Sequence, residues 1–305
     1  MSLPRFEILH GRADFRPGPV GVAVAGGADR TLLDAYRIAC DRGWASPILV
    51  GPEAEARRIA AEAGIALEGF TFLDAEAPDI ARAAVAEVRA GRARVLAKGK
   101  IATPALMDVI LDPEAGLRSG RVVAQVVLIE LLRDARRFLL ADTGVNVRPK
   151  LASRIEIMNQ AIEVAHALGH PRPRVALMAA SEAVSTGMPD TVESAEIARR
   201  AASGEFPAAD IEGPLSFDLA YSPSAGTSKR VDGKVVGFAD AMIFPDLLSA
   251  NLTVKAIMYT ADCLFGGVLR GTTAPVAFMS RSDDARTRLN SLALALSLLG
   301  DDVLA

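Results

Sequence analysis

The chain reads as an α/β protein built on mostly parallel strands. Three features predict this. Short apolar runs without polar alternation recur, as strands covered on both faces require. Glycine, proline or aspartate punctuates most of these runs. Amphipathic stretches follow most of them, in the strand–helix–strand rhythm of crossover connections.

Val20–Ala25 is the first such run. Gly26-Gly27 breaks it, and Asp29 is placed to cap a helix through Ala39 and Arg42 that Gly43 closes. Residues 47–52 give a second strand and turn, 53–64 and 77–90 give helices, and 95–97 give a third strand. A further helix opens near Pro104, since proline suits the first helical turn. The strand-like runs 121–129 and 136–142 have too little chain between them for a crossover. They predict a hairpin and an antiparallel edge to the sheet.

Residues 150–167 read as a long helix, and Pro171-Arg172-Pro173 restarts the chain. That stretch is the candidate domain boundary. A second α/β run follows: strand 175–179, helix 191–203, strands near 210 and 241–244, and helix 247–259. Strands near 267–269 and 276–279 and a last helix over 283–299 complete it. Segment 221–236 reads as a mobile loop, being rich in Ser, Gly and charge.

Composition narrows the class. At about 150 residues per domain, 305 residues suggest two domains. With 50% hydrophobic and 23% charged residues, a packed core rather than disorder is expected. Lys plus Arg number 34 and Asp plus Glu 37, a net charge of −3, which argues against nucleic-acid or membrane-surface partners. Cys40 and Cys263 form no CxxC and no metal spacing, so they read as small buried hydrophobes. His166 and His170 lie at i, i+4, but Pro171 makes a helix end the better reading than a ligand pair. No metal is therefore expected. No leader pattern is visible, and the longest apolar stretch, 122–132, is interrupted by Gln125 and Glu130, so a cytoplasmic protein is expected.

Six segments could carry chemistry. Gly26-Gly27 could hold phosphate at a helix start, although a plain tight turn explains it better. Lys98, Lys100 and Thr103 follow a buried strand, with Thr103 a candidate helix cap; a solvated basic turn would look the same. Asp142 to Asn146 ends another strand with small residues, where turn preference alone is an equal explanation. Ser216 and Asp218 alternate with Phe217, so the polar pair can face one way and the ring the other. Asp246 ends an apolar strand, with Asn251 and Lys255 at i, i+4 on the helix that follows. The strongest is Ser280-Arg281-Ser282-Asp283-Asp284, where hydroxyls, a guanidinium and helix N–H groups converge on a spot suited to an oxyanion. Ser282 or Asp283 could also simply cap the helix.

Lys98-Gly99-Lys100-x-x-Thr103, Gly116-Leu117-Arg118-Ser119-Gly120, Asp142-Thr143-Gly144-Val145-Asn146, Gly213 to Asp218, Pro245-Asp246-Leu247 with Asn251 and Lys255, and Ser280-Arg281-Ser282-Asp283 are six segments in one order. Together they resemble the phosphate acetyltransferase and phosphate butyryltransferase family. The resemblance implies reversible acyl transfer between coenzyme A and inorganic phosphate, by direct attack in a ternary complex. It implies two α/β domains with the site in a cleft, an architecture similar to isocitrate and isopropylmalate dehydrogenases, and a homodimer. Carried over, the first domain is 1–148 with 270–305 and the second is 149–269.

It also implies roles. Ser280 and Arg281 bind phosphate and steady the transition state, and Asp283 acts as base on the coenzyme A thiol, with Asp284 and Asp246 as other candidates. Lys98, Thr103, Asn146, Ser216, Asp218, Asp246, Asn251 and Lys255 are expected to bind substrate. Coenzyme A enters as substrate, and no permanently bound cofactor is expected. Ala250 stands where the family often has glycine, which narrows that helix turn by a methyl group. Two other readings are an NAD(P)-dependent decarboxylating dehydrogenase of related fold and a non-catalytic coenzyme A-binding relative.

Overall fold

The structure, a computed structural model, describes residues 2–278 and 283–300. It is a mixed α/β fold whose strands run mostly parallel. Contacts divide it into two compact units. The first comprises Phe6–Arg121 with Gly266–Ala305, and the second Met1–Arg5 with Val122–Phe265.

The first unit opens with α1 (Phe6–Asp14), β1 (Val20–Ala25), α2 (Arg30–Asp41), β2 (Ala45–Gly51) and α3 (Glu53–Ala63). It continues with β3 (Thr71–Asp74), α4 (Ile80–Arg89), β4 (Val95–Lys98) and α5 (Thr103–Ile110). β1 is flanked in parallel by β2 and β4, and β3 pairs with β2. Val22, Ala23, Val24 and Ala25 are all fully buried, so both faces of β1 are covered, as its unalternating sequence predicts. Asp29 caps α2 by accepting from Leu32 N at 3.0 Å. Thr103 is not a cap: it is the first residue of α5, and Ala102 holds the cap position without a side-chain bond. The sequence reading assigns neither α1 nor β3. The stripe Phe6, Leu9, Ala13 that α1 buries is short, and β3 is half exposed.

The second unit contains β5 (Ala124–Leu131), β6 (Arg137–Ala141), α6 (Leu151–Ala167), β7 (Arg174–Met178), α7 (Pro189–Ala202) and β8 (Asp210–Leu215). α8 (Phe217–Tyr221), α9 (Pro223–Lys229), β9 (Ala241–Ile243) and α10 (Leu247–Thr260) follow. β5 and β6 form the expected hairpin, but β6 is not an edge. It pairs in parallel with β9 on its other side, and β7 lies between β9 and β8. Segment 221–236 is not a loop throughout: it holds α9, and Val235 and Val236 are buried. α6 ends at Ala167 as expected. His166 Nε2 then meets the Ala208 carbonyl, whereas buried His170 lies beside Asp240.

The chain returns to the first unit through β10 (Cys263–Arg270), β11 (Val276–Ala277) and α11 (Ala285–Ser297). β11 is antiparallel to β10 and parallel to β4. His10 Nε2 meets Asn290 Oδ1 at 2.9 Å, and Arg288 pairs with Asp29 at 3.4 Å, which ties α11 to α1 and α2. The contact division falls at 121/122 and 265/266, whereas the expected boundaries are 148/149 and 269/270. Residues 122–148 go with the second unit because β6 pairs with β9. Among the described residues, no helix is long and apolar enough to cross a membrane.

One buried charge organises the second unit. Arg154 on α6 is fully buried, and its Nη2 donates to the Met178 and Ile243 carbonyls and to Ser194 Oγ at 3.1, 3.5 and 2.9 Å. These carbonyls lie at the ends of β7 and β9. Glu193 lies 3.9 Å from Nη1, and burial lowers the guanidinium pKa to about 10. Removing such a group leaves buried carbonyls without donors and opens a cavity. Arg154→Ala should therefore destabilise the protein by about 3 kcal/mol, read as a lower denaturant midpoint. An unchanged midpoint would show that the buried charge holds nothing.

Candidate active site

In the first unit, β1, β4 and β11 run parallel, so their carboxyl ends share one side. Lys98 is the buried last residue of β4. The turn after it is laced to the turn after β1, with Gly99 N donating to Ala25 O and Lys100 N to Gly26 O, both at 2.8 Å. A Cβ on Gly26, whose φ is +88°, would lie 2.7 Å from the Lys100 backbone. The Gly-Gly pair therefore serves close packing of two turns. Thr103 is half-buried at the start of α5.

β11 leads toward Ser280 and Arg281, which lie outside the described residues. Asp283 is buried just before α11. Asp284, not Asp283, caps that helix by accepting from Thr287 N at 2.8 Å. The Asp283 carbonyl accepts from Thr31 Oγ1 at 3.1 Å, and Thr31 also donates to Asp29 and accepts from Arg288. The two adjacent acids thus have separate roles: one finishes the helix, and the other is held in place by its backbone.

In the second unit, β6 and β9 end side by side, Ala141 opposite Ile243. The buried Asp142 carboxylate anchors the loop after β6. It accepts from the backbone N–H groups of Gln125, Gly144, Val145 and Asn146 at 2.7 to 3.2 Å, and from Asn146 Nδ2. Asn146 Nδ2 also donates to Val123 O at 2.8 Å. Asn251 on α10 reaches the same loop, donating to Thr143 O at 3.0 Å. Asp246 caps α10 through Ser249 N and Oγ, both at 2.8 Å. Lys255 is exposed one turn beyond Asn251 and makes no ion pair among the described residues.

Ser216 and Asp218 lie at the end of β8, with β7 between them and β9. Ser216 Oγ donates to Asp218 Oδ1 at 2.6 Å, so the pair does face one way. Phe217 is 37% exposed and stacks on Tyr221 instead of entering the core. Lys229, which sequence reasoning missed because its segment reads as a loop, lies 3.0 Å from Asp218 Oδ2 and 3.1 Å from Ser216 Oγ. The Ser216 hydroxyl first, then Lys229, holds the Asp218 pKa below its ordinary value, and Asp218 raises that of Lys229.

The structure thus brings Asn146, Asp246 and Asn251 together, keeps Ser216 and Asp218 as a second group, and sets Lys98, Thr103 and Asp283 in the other unit. Asp142 and Arg154 are organising residues that their sequence positions alone do not distinguish. Both cysteines are free, and burial pushes the Cys40 thiol up to about 11 and the Cys263 thiol upward as well. Neither suits a nucleophile at neutral pH. Among the described residues, no group of His, Cys, Asp or Glu is placed to hold a metal ion.

Residues 76–296 match the sequence model of the family described as "Phosphate acetyl/butaryl transferase". The phosphate butyryltransferase of Clostridium acetobutylicum is 35% identical over 283 residues, covering 92% of this chain and 93% of that one. The phosphate acetyltransferase of Thermotoga maritima is 31% identical over 274 residues, covering 90% and 93%. A solved branched-chain phosphotransacylase from Enterococcus faecalis superposes with a TM-score of 0.79 at 30% identity, covering 92% of this chain and 98% of that one.

Two outcomes are expected. Asp142→Asn places an NH₂ among N–H donors, so amide exchange over residues 144–146 should quicken, read by hydrogen-exchange mass spectrometry; unchanged protection would remove the anchoring role. The second concerns pH. A lowered carboxylate pKa gives stability that is present above its unfolded value and lost as pH falls through the folded one. A raised lysine pKa gives stability present below its unfolded value and lost as pH rises through the folded one. The Asp218–Lys229 pair should thus be constant between about pH 4 and 10. In carboxyl NMR titrations, Ser216→Ala and Lys229→Ala should each raise the Asp218 pKa; an unchanged value in both variants would contradict the assigned causes.

Proposed function

The chain belongs to the phosphate acetyl/butyryl transferase family, and from that premise we propose that it moves a short acyl group reversibly between coenzyme A and inorganic phosphate. One observation carries this reading. The family match over residues 76–296 spans every proposed site residue, from Lys98 to Asp283.

In the forward direction a phosphate oxygen attacks the thioester carbonyl, the C–S bond breaks, and acyl phosphate forms. The proton of hydrogen phosphate ends on the departing coenzyme A thiolate. In reverse, a base takes the thiol proton as sulfur attacks the acyl carbonyl, and phosphate leaves. A free thiol has a pKa of about 8.5, so such a base has work to do at neutral pH. We assign that role to Asp283. Asp246 and Asp284 are already engaged as helix caps, which supports the choice. Ser280 and Arg281 bind phosphate with the start of α11, where charge-assisted donors and the helix dipole add. The raised thiol pKa values of Cys40 and Cys263 support direct transfer without an acyl-cysteine.

Lys98, Thr103, Asn146, Ser216, Asp218, Asp246, Asn251 and Lys255 are the proposed substrate contacts. The unshared ammonium of Lys255 suits a phosphate of coenzyme A. The methyl of fully buried Ala250 bears on acyl-chain preference. We also propose a cytoplasmic homodimer. Free cysteines fit a reducing compartment. The exposed Leu248, Leu252 and Tyr259, on one face of α10, offer an apolar surface for a second copy.

Thiol release from acetyl-CoA or butyryl-CoA should require added phosphate and persist in a chelator. Its absence with every short acyl-CoA would overturn the reading and favour the non-catalytic alternative; NADP-dependent decarboxylation would favour the dehydrogenase one. Arg281→Ala should raise the KM for phosphate about tenfold or more with the melting temperature unchanged, because one charge-assisted bond contributes about 1.5–3 kcal/mol. Leu252→Glu should shift the light-scattering mass toward that of one chain; a monomeric wild type would refute the dimer.

A further inference from the structure

A second cationic site lies within the first unit, away from the residues proposed to handle substrate. The end of α4, the approach to β4, the 116–118 turn and the approach to β11 line an open surface depression of about 550 Å³. Arg89, Arg94 and Arg118 line it, and no acidic residue does. Val88, Pro275 and Leu299 supply apolar wall. The Arg89 guanidinium is fixed by donating to the Gly116 carbonyl at 2.9 Å.

None of the three guanidinium groups forms an ion pair among the described residues. Their neighbours do. Arg82 lies 3.5 Å from Asp79, and Arg92 lies 2.7 Å from Glu87, both on the same stretch of chain. Three like charges around one concavity repel each other, and the forks of Arg94 and Arg118 are left to water. An anion would relieve both. The volume falls in the range of small-molecule sites and exceeds what a bare phosphate needs, and the apolar wall suits a ligand with some carbon body.

Position separates this site from the transfer chemistry. Arg94 directly precedes β4, and Pro275 directly precedes β11, whereas Lys98 is the last residue of β4 and residues 280–283 come after β11 in sequence. The three steps from Val95 to Lys98 span about 10 Å. The depression therefore opens at the amino ends of strands whose carboxyl ends carry the proposed catalytic residues.

We infer that this pocket is a binding site for a small organic phosphate that is not the substrate of acyl transfer. Phosphate oxygens take the forks of Arg89, Arg94 and Arg118, and the carbon portion lies against Val88 and Leu299.

The test is calorimetric titration of the full chain with phenyl phosphate, with inorganic pyrophosphate as the arm that has charge and no carbon body. Wild type should bind both probes. Arg94→Gln and Arg89→Gln should each weaken this binding about tenfold, since a charge-assisted hydrogen bond contributes about 1.5–3 kcal/mol. Arg94 makes no ion pair among the described residues, and Gln at position 89 keeps an amide donor for the carbonyl of buried Gly116. Melting temperature and acyl transfer measured without probe should stay at wild-type levels. Isotherms identical in wild type and both variants would overturn the proposal. So would loss of acyl transfer at unchanged melting temperature, because the pocket would then belong to the reaction. Failure of the acyl-transfer reading alone would leave the binding result intact.

Discussion

Parallel pairing is the constraint from which most of this structure follows. A parallel strand cannot be reached by a tight turn, so each is joined through a helix that covers a sheet face. Covered faces demand apolar residues at every position, which is why β1 is buried along nearly its whole length. The same pairing sends neighbouring strands out of the sheet on one side. In the first unit this sets the carboxyl ends of β4 and β11 side by side, Ala97 opposite Ala277. In the second it sets the loops after β6 and β9 beside each other.

Loops at such ends carry backbone donors that no strand satisfies. The protein answers with buried or half-buried polar side chains on neighbouring elements. Asp142 collects four backbone N–H groups, Asn251 serves the Thr143 carbonyl, and Arg154 serves the last carbonyls of β7 and β9. Gly144 belongs to the same device, since a Cβ there would meet Gln125 Oε1 at 2.1 Å. Local order at the proposed substrate contacts is thus built by groups that need not touch substrate. A carboxylate with several donors is costly to replace even when it performs no chemistry.

How far the sequence could be read followed the range of the interactions. Helix spans such as 53–64 and 150–167 and the buried runs of β1 and β7 are set by local period and capping, and they emerged from sequence alone. The hairpin β5/β6 was legible, but its interior place was not, because pairing of β6 with β9 depends on residues about 100 positions away. α9 was hidden because Ser, Gly and Thr give little helical period, and burial of Val235 and Val236 is what fixes that segment. Lys229 was hidden with it. The grouping of Asn146 with Asn251 was likewise inaccessible, whereas the i, i+4 relation of Asn251 and Lys255 was not.

The acids before α11 show how one short segment can serve fold and chemistry together. A helix start attracts a carboxylate both as an acceptor for exposed N–H groups and as a charge opposing the dipole. If a single aspartate did both jobs and also took a proton, protonation would weaken the helix at each turnover. Two adjacent acids remove that conflict. Asp284 accepts from Thr287 N, and Asp283 is positioned through its own carbonyl by Thr31, within the group that Asp29 and Arg288 complete. Under the proposed assignment, a proton taken up at Asp283 would leave the Asp284 cap of α11 in place.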